Sequence, residues 1–202
     1  MWTFRIGLIG LALLAGVDWY GLNSVTPDNT RDEPSSWEAT NALRQANVIS
    51  GGQVCADWTG TKYRCGDASW EWIGRHIGRI SANGNIDERA CLWIHPRERG
   101  KNKVVFPEVK LGARITGYVG LLDSAEKGAP ITVELGLSDK TAKKILLTDR
   151  ARGWFEVTID TSKQQDTNAN ISVELSTKAI AWRHVCIQLT VEHANKSPGE
   201  VE

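Results

Sequence analysis

PITVELGL (Pro130–Leu137) and GWFEVTID (Gly153–Asp160) decide how this chain is read. In the first, Ile131, Val133, Leu135 and Leu137 alternate with Thr132, Glu134 and Gly136. In the second, Phe155, Val157 and Ile159 alternate with Glu156, Thr158 and Asp160. Successive side chains of a strand point to opposite faces, so this period of two describes strands with one buried and one wet face. Working outward, Ile171, Val173 and Leu175 repeat the pattern, as do Val185, Ile187, Leu189 and Val191, and Ile115, Val119 and Leu121 follow it around Gly117. Polar turns separate these segments and no β-α-β alternation occurs, so an all-β antiparallel sandwich over residues 37–192 is expected. One short amphipathic helix should precede it. Ser35 and Glu38 fit a capping box, Ala39, Ala42, Leu43 and Ala46 recur at helical spacing, and Gly51-Gly52 would end the helix.

Upstream, Ile6 to Val17 is apolar and uncharged, too short as a strict helix (~18 Å) for a ~30 Å hydrocarbon core. Trp2 and Phe4 on one side and Trp19 and Tyr20 on the other resemble interfacial aromatic belts and extend the span to residues 1–22. With Arg5 before the run and Asp18, Asp28 and Glu33 after it, a signal anchor is expected, with a cleaved signal peptide as the alternative. Either places the sandwich outside the cytoplasm, in the periplasm or at the cell surface. Residues 23–36 read as a linker rich in Pro, Asp, Ser and Asn, and residues 193–202 as a flexible tail. Lys plus Arg equals Asp plus Glu at 24 each, a balance that argues against a nucleic-acid partner.

The four cysteines fit an oxidising compartment. Cys55 and Cys65 lie symmetrically about Gly60, so a hairpin turning there would set them opposite each other. Cys91 and Cys186 would then pair across two adjacent strands, both on outward faces. A metal site of Cys91, His95, His184 and Cys186 is the rival arrangement. Against it, Cys91 and His95 would stand about 13 Å apart along a strand, and neither cysteine pair has zinc-knuckle spacing.

Catalytic patterns are sparse. There is no GxSxG elbow, HExxH helix or phosphate-binding GxxxxGK[ST] loop. Ser124-Ala-Glu-Lys127 matches SxxK, but it follows strand residues where that chemistry needs a helix. Asn83-Gly-Asn85-Ile-Asp87-Glu88 offers oxygens for a structural calcium, and reads more simply as an Asn-Gly turn. No other cofactor is implied. The nine tryptophans are the chemical oddity. Trp70 and Trp72 would share one face of a strand. Trp93 shares the outward face of Cys91 and His95, and Tyr118 and Trp154 fall outward on their own strands. With Arg97 and His184 nearby, these aromatic residues form a candidate set for stacking on sugar rings, and packing beneath loops is the competing use.

From Arg89 to Val191 the chain resembles the galactose-binding-like jelly-roll family, which includes carbohydrate-binding modules. LGARITGYVGLLD (Leu111–Asp123), PITVELGL, GWFEVTID, ISVELST (Ile171–Thr177) and AWRHVCIQLTV (Ala181–Val191) carry the resemblance. The stretch WTGTKYRCG…WEWIG…CLWIHP looks like extracytoplasmic domains of bacterial membrane proteins concerned with cell-surface glycans. The resemblance implies a non-catalytic glycan-binding module. A protein-interaction module binding an envelope protein is the alternative, and a glycan-active enzyme a third. No ligand residue transfers from the family, because its binding loops vary.

Overall fold

The computed structural model describes residues 36–193, apart from 69, 98, 99, 151, 180 and 181. The expected anchor, most of the linker, and the tail beyond His193 lie outside the described residues. Among the described residues, no helix is long and apolar enough to cross a membrane.

The period-two segments fold as strands. In chain order these are β1 (Ser36–Glu38), β2 (Asn47–Ser50), β3 (Gln53–Val54), β4 (Asp57–Trp58), β5 (Lys62–Arg64), β6 (Trp72–Ala82) and β7 (Asn85–Ile94). There follow β8 (Asn102–Lys110), β9 (Arg114–Leu121), β10 (Ile131–Leu137), β11 (Lys140–Leu147), β12 (Trp154–Asp160), β13 (Asn168–Thr177) and β14 (Val185–Glu192). One antiparallel sheet runs β12-β9-β14-β7-β6-β5-β4, with β1 also paired to β14, and the other runs β11-β10-β13-β8-β2-β3. The alternating apolar residues meet between them. Val133, Leu135, Val173 and Leu175 from one sheet and Val119, Leu92, Ile187 and Leu189 from the other are buried in one core. That core is the two inward faces of a sandwich.

The expected helix is much shorter. Only Ala39–Ala42 is α-helical (α1), continued by a single 3-10 turn over Leu43–Gln45. Ser36–Glu38 pairs with β14 instead, leaving Glu38 extended at φ −126° and ψ 131°, with no capping bond from its side chain. Trp37 therefore sits in a strand, edge-on to Phe106 at 5.1 Å. Downstream, Val48 and Ile49, β-branched residues that favour a pleated surface, pair with β8. Ala39 and Leu43 are buried as the spacing required. The amphipathic pattern was right, and competing strand pairing at both ends limited its length.

Both expected disulfides form, Cys55–Cys65 with Cα atoms 4.7 Å apart and Cys91–Cys186 at 5.5 Å. The second marks a bend that alternation alone did not predict. Pairing of β14 with β7 is confined to Leu92, Trp93 and Ile94. Beyond it, the β6–β7 hairpin turns onto the outward face of its own sheet. Ile80 reaches Gly120, the Trp154 indole donates to the Asp87 carbonyl at 3.4 Å, and the Arg89 guanidinium lies 3.6 Å over the Tyr118 ring. Gly78 lies against both bridge sulfurs and Leu122, where a Cβ would collide. The result is a second, smaller core of Ile80, Cys91, Trp93, Leu122 and Cys186, with Trp72 and Trp154 packed against it. At the hairpin tip Asn83 (φ 52°) and Gly84 (φ 80°) take the left-handed conformations of a tight turn. The Asp87 carboxylate is held by Arg89 at 2.7 Å, so the Asn83–Glu88 stretch serves as a turn and an ion pair.

Candidate functional site

The eight aromatic, histidine and arginine candidates separate into three groups. Tyr118 and Trp154 lie outward as expected but beneath the folded hairpin, with Arg89 set over both rings, 5.5 Å from the Trp154 ring. Arg97 is committed elsewhere. It bonds Glu71 at 2.6 Å and the Cys65 carbonyl at 3.3 Å, tying the β5–β6 turn to the segment after β7. Both groups hold the fold together.

The other five gather where β6 begins, β7 ends and β14 begins. Trp72, the first residue of β6, stacks on Trp93 at 3.8 Å and 20°. Trp70 lies in the preceding turn rather than on the strand, yet on the same side, 5.0 Å from His95. His95 is 5.6 Å from His184, and Trp93 lies beneath both, 6.0 and 5.2 Å away. Trp93 is only 5% exposed, so its role is to support the others. The sequence reading missed Trp182 as a site residue. It is 6.1 Å from His184 and 62% exposed, the most exposed indole among the described residues. Its place two residues before an outward histidine was the available signal.

Hydrogen bonds fix both imidazoles. His95 Nδ1 is 2.9 Å from the Pro96 carbonyl, which can only accept, so Nδ1 carries the proton and Nε2 remains an acceptor. His184 Nδ1 is 2.8 Å from Ser124 Oγ. Burial lowers the pKa of both histidines. His95 and His76 lower His184 further, so both rings are neutral at neutral pH. Ser124 sits in a turn and Lys127 is exposed, so the SxxK match lacks its helix.

A knot of charge anchors the Leu122–Gly128 loop beside His184. Arg152 donates to the Leu122 and Ala125 carbonyls at 2.9 Å each. Arg183, fully buried, donates to the Glu126 carbonyl at 2.6 Å and pairs with Asp149. Burial alone would raise the Asp149 carboxyl pKa. The Arg183 bond, the Gly128 amide and the two guanidiniums outweigh that and hold it low.

Beside the Trp72 ring is a hollow of about 380 Å3 lined by Lys62, Arg64, Asp67, Ala68 and Trp72. The Lys62 ammonium lies 4.6 Å from the Trp72 ring, and Arg64 leans toward Asp57 at 3.7 Å. With Trp93 stacked on the Trp72 ring and the Lys62 ammonium over it, the hollow presents the uncovered edge of that indole beside three hydrogen-bonding charged side chains. Among the described residues, no group of three or more His, Cys, Asp or Glu is arranged to hold a metal.

Comparison with known proteins places the chain beside two kinds of molecule. It is 26% identical over 143 residues to digestive cysteine proteinase 1 of Homarus americanus, covering 62% of this chain and 44% of that protein's length. All four cysteines here are in disulfides. No protein-family model matches the chain. Among solved structures it is similar to the CBM51 module of a Clostridium perfringens GH95 protein in complex with methyl-galactose. That match has 11% identity and a TM-score of 0.48, covering 71% of this chain and 99% of that one. It is also similar to the K1 cleaved adhesin domain of Lys-gingipain from Porphyromonas gingivalis, at 12% identity and TM-score 0.46, covering 79% and 99%. Carbohydrate-binding modules are thus among its structural neighbours.

Proposed function

We propose that this chain is a non-catalytic glycan-binding module, exported and anchored to a membrane by its N-terminal segment. The observation that carries the reading is the hollow at Trp72, where one indole meets Lys62, Arg64 and Asp67. A sugar presents C–H groups on one face and hydroxyls around its edge, and this lining offers the indole edge left uncovered by Trp93 and Lys62 for the first and charged hydrogen-bonding groups for the second. The volume falls in the range of ligand sites, roughly 300–1,000 Å3. Export is supported by the two disulfides, which suit an oxidising compartment, and anchoring by the apolar Ile6–Val17 run.

A protein-docking role has one observation in its favour, Ile77 and Ile86 exposed on the solvent side of the β6–β7 hairpin. The paired Arg79 and Glu88 stand between them, so they form no continuous apolar patch. The test is a glycan array probed with the full chain and with Trp72→Ala. Retention of the native chain, with Trp72→Ala at least tenfold weaker, is expected. Equal binding by the two would remove the hollow from the account, and no binding to any glycan would remove the function.

A further inference from the structure

The aromatic surface continues well past the hollow. From Trp70, beside Asp67 and Ala68 in the β5–β6 turn, the ring centres step 5.0 Å to His95, 5.6 Å to His184 and 6.1 Å to Trp182. These residues come from three separate segments, the lead-in to β6, the end of β7 and the lead-in to β14. The row therefore crosses the strand ends rather than following one strand. Trp70 and Trp182 are 38% and 62% exposed, while His95 is buried and His184 half-buried between them. Raised indoles thus border a lower, hydrogen-bonding centre. The His95 Nε2 acceptor and the Ser124 hydroxyl on His184 are polar groups suited to sugar hydroxyls.

A site for one terminal sugar would need only the hollow, and nothing in the hollow requires Trp182. An indole left in water at the far end of such a row exposes apolar surface that a ligand reaching that far would cover. Building on the glycan-binding reading, we infer that the ligand is a chain of at least three sugar units. One unit occupies the Trp72 hollow and the remainder lies along Trp70, the histidine pair and Trp182. Each step between rings is comparable with the length of one sugar unit. The loop carrying Ser124 is held by the Arg152 and Arg183 bonds to its carbonyls, so the far end of the row is preorganised.

The test is calorimetry on the full chain, using the mono-, di-, tri- and tetrasaccharide of a glycan retained on an array. Affinity is expected to rise at least tenfold from one unit to three. Trp182→Ala should remove most of that gain and leave the affinity for the single unit unchanged, while Trp182→Tyr should keep part of it. Because Trp182 is largely exposed, circular dichroism should show Trp182→Ala folded as the native chain. Equal affinity for one and four units, or a length gain untouched by Trp182→Ala, would overturn the chain ligand and leave the hollow standing. Failure of every glycan on the array would instead overturn the glycan-binding reading itself.

Discussion

Two regions of one sheet's outward face carry tryptophan, tyrosine or histidine at similar density, and they end differently. Near the β6–β7 hairpin tip, Tyr118 and Trp154 are covered by Arg89, Ile80 and the hairpin backbone. At the opposite end of those strands, Trp70 and Trp182 remain exposed and Trp72 partly so. Strand alternation puts Tyr118, Trp154 and Trp72 on the same side, and Trp70 and Trp182 lie just before their strands. What separates them is whether another part of the chain turns back over them. An outward aromatic residue is therefore a ligand candidate only after the covering elements are known.

The bridge at the bend offers the largest perturbation of that difference. Cys91–Cys186 closes a loop with sequence separation 95 and Cys55–Cys65 one with 10. By the chain-entropy argument these are worth about 4–5 and about 3 kcal/mol. Replacing both cysteines of the longer bridge with alanine should lower unfolding stability more than the same change at the shorter one, as measured by urea denaturation. A reversed order would mean that the hairpin is held mainly by Arg89 and Asp123, which takes Ser81 N and Oγ at 2.7 Å each.

Next in size is Trp154→Ala, which removes a partly buried indole and should cost roughly 2–3 kcal/mol, somewhat less than a fully buried one. Glycan affinity should not change. Trp72→Ala should do the converse, weakening binding at least tenfold (~1.4 kcal/mol) with a smaller loss of stability. If both variants lost binding and stability in proportion, the covered and open ends would not be functionally distinct.

The smallest expected effect is a pH dependence. Burial lowers the pKa values of His76, His95 and His184, so the unfolded chain takes up protons first as pH falls from the ordinary imidazole value of ~6.5. The stability they contribute is complete above that value and is lost as pH falls toward their lowered folded values. Asp123 and Asp149, held low, act only at more acidic pH, and their contribution is lost as pH falls below the ordinary carboxylate range. Urea midpoints at pH 7.5 and 5 should therefore differ, and the difference should shrink in a His95→Gln, His184→Gln double variant. A decline confined to pH below 4 would assign it to the carboxylates alone.

Much of this was legible in the sequence. The spacing of Ile131, Val133 and Leu135, and of Val185, Ile187 and Leu189, identified strands and their inward faces. The same parity placed Cys91 and Cys186 on one outward face, and symmetry about Gly60 paired Cys55 with Cys65. The hairpin fold-back was hidden because period two reports which face a residue takes, not how far a strand curves. Gly78, the small residue that lets the bridge and Leu122 approach, was the local hint. Arg97 looked available because its partner Glu71 lies 26 positions away. Trp182 was passed over because it precedes its strand, where alternation says nothing.

The central claim is that the open end binds glycan and the covered end does not. NMR of the indole N–H signals tests it directly, using the full chain, with each tryptophan assigned by substitution, titrated with a glycan retained on the array. Signals of Trp70, Trp72 and Trp182 are predicted to shift on saturation, and that of Trp154, donated to the Asp87 carbonyl, to stay in place. Movement of Trp154 with Trp72 and Trp182 unchanged would contradict the account.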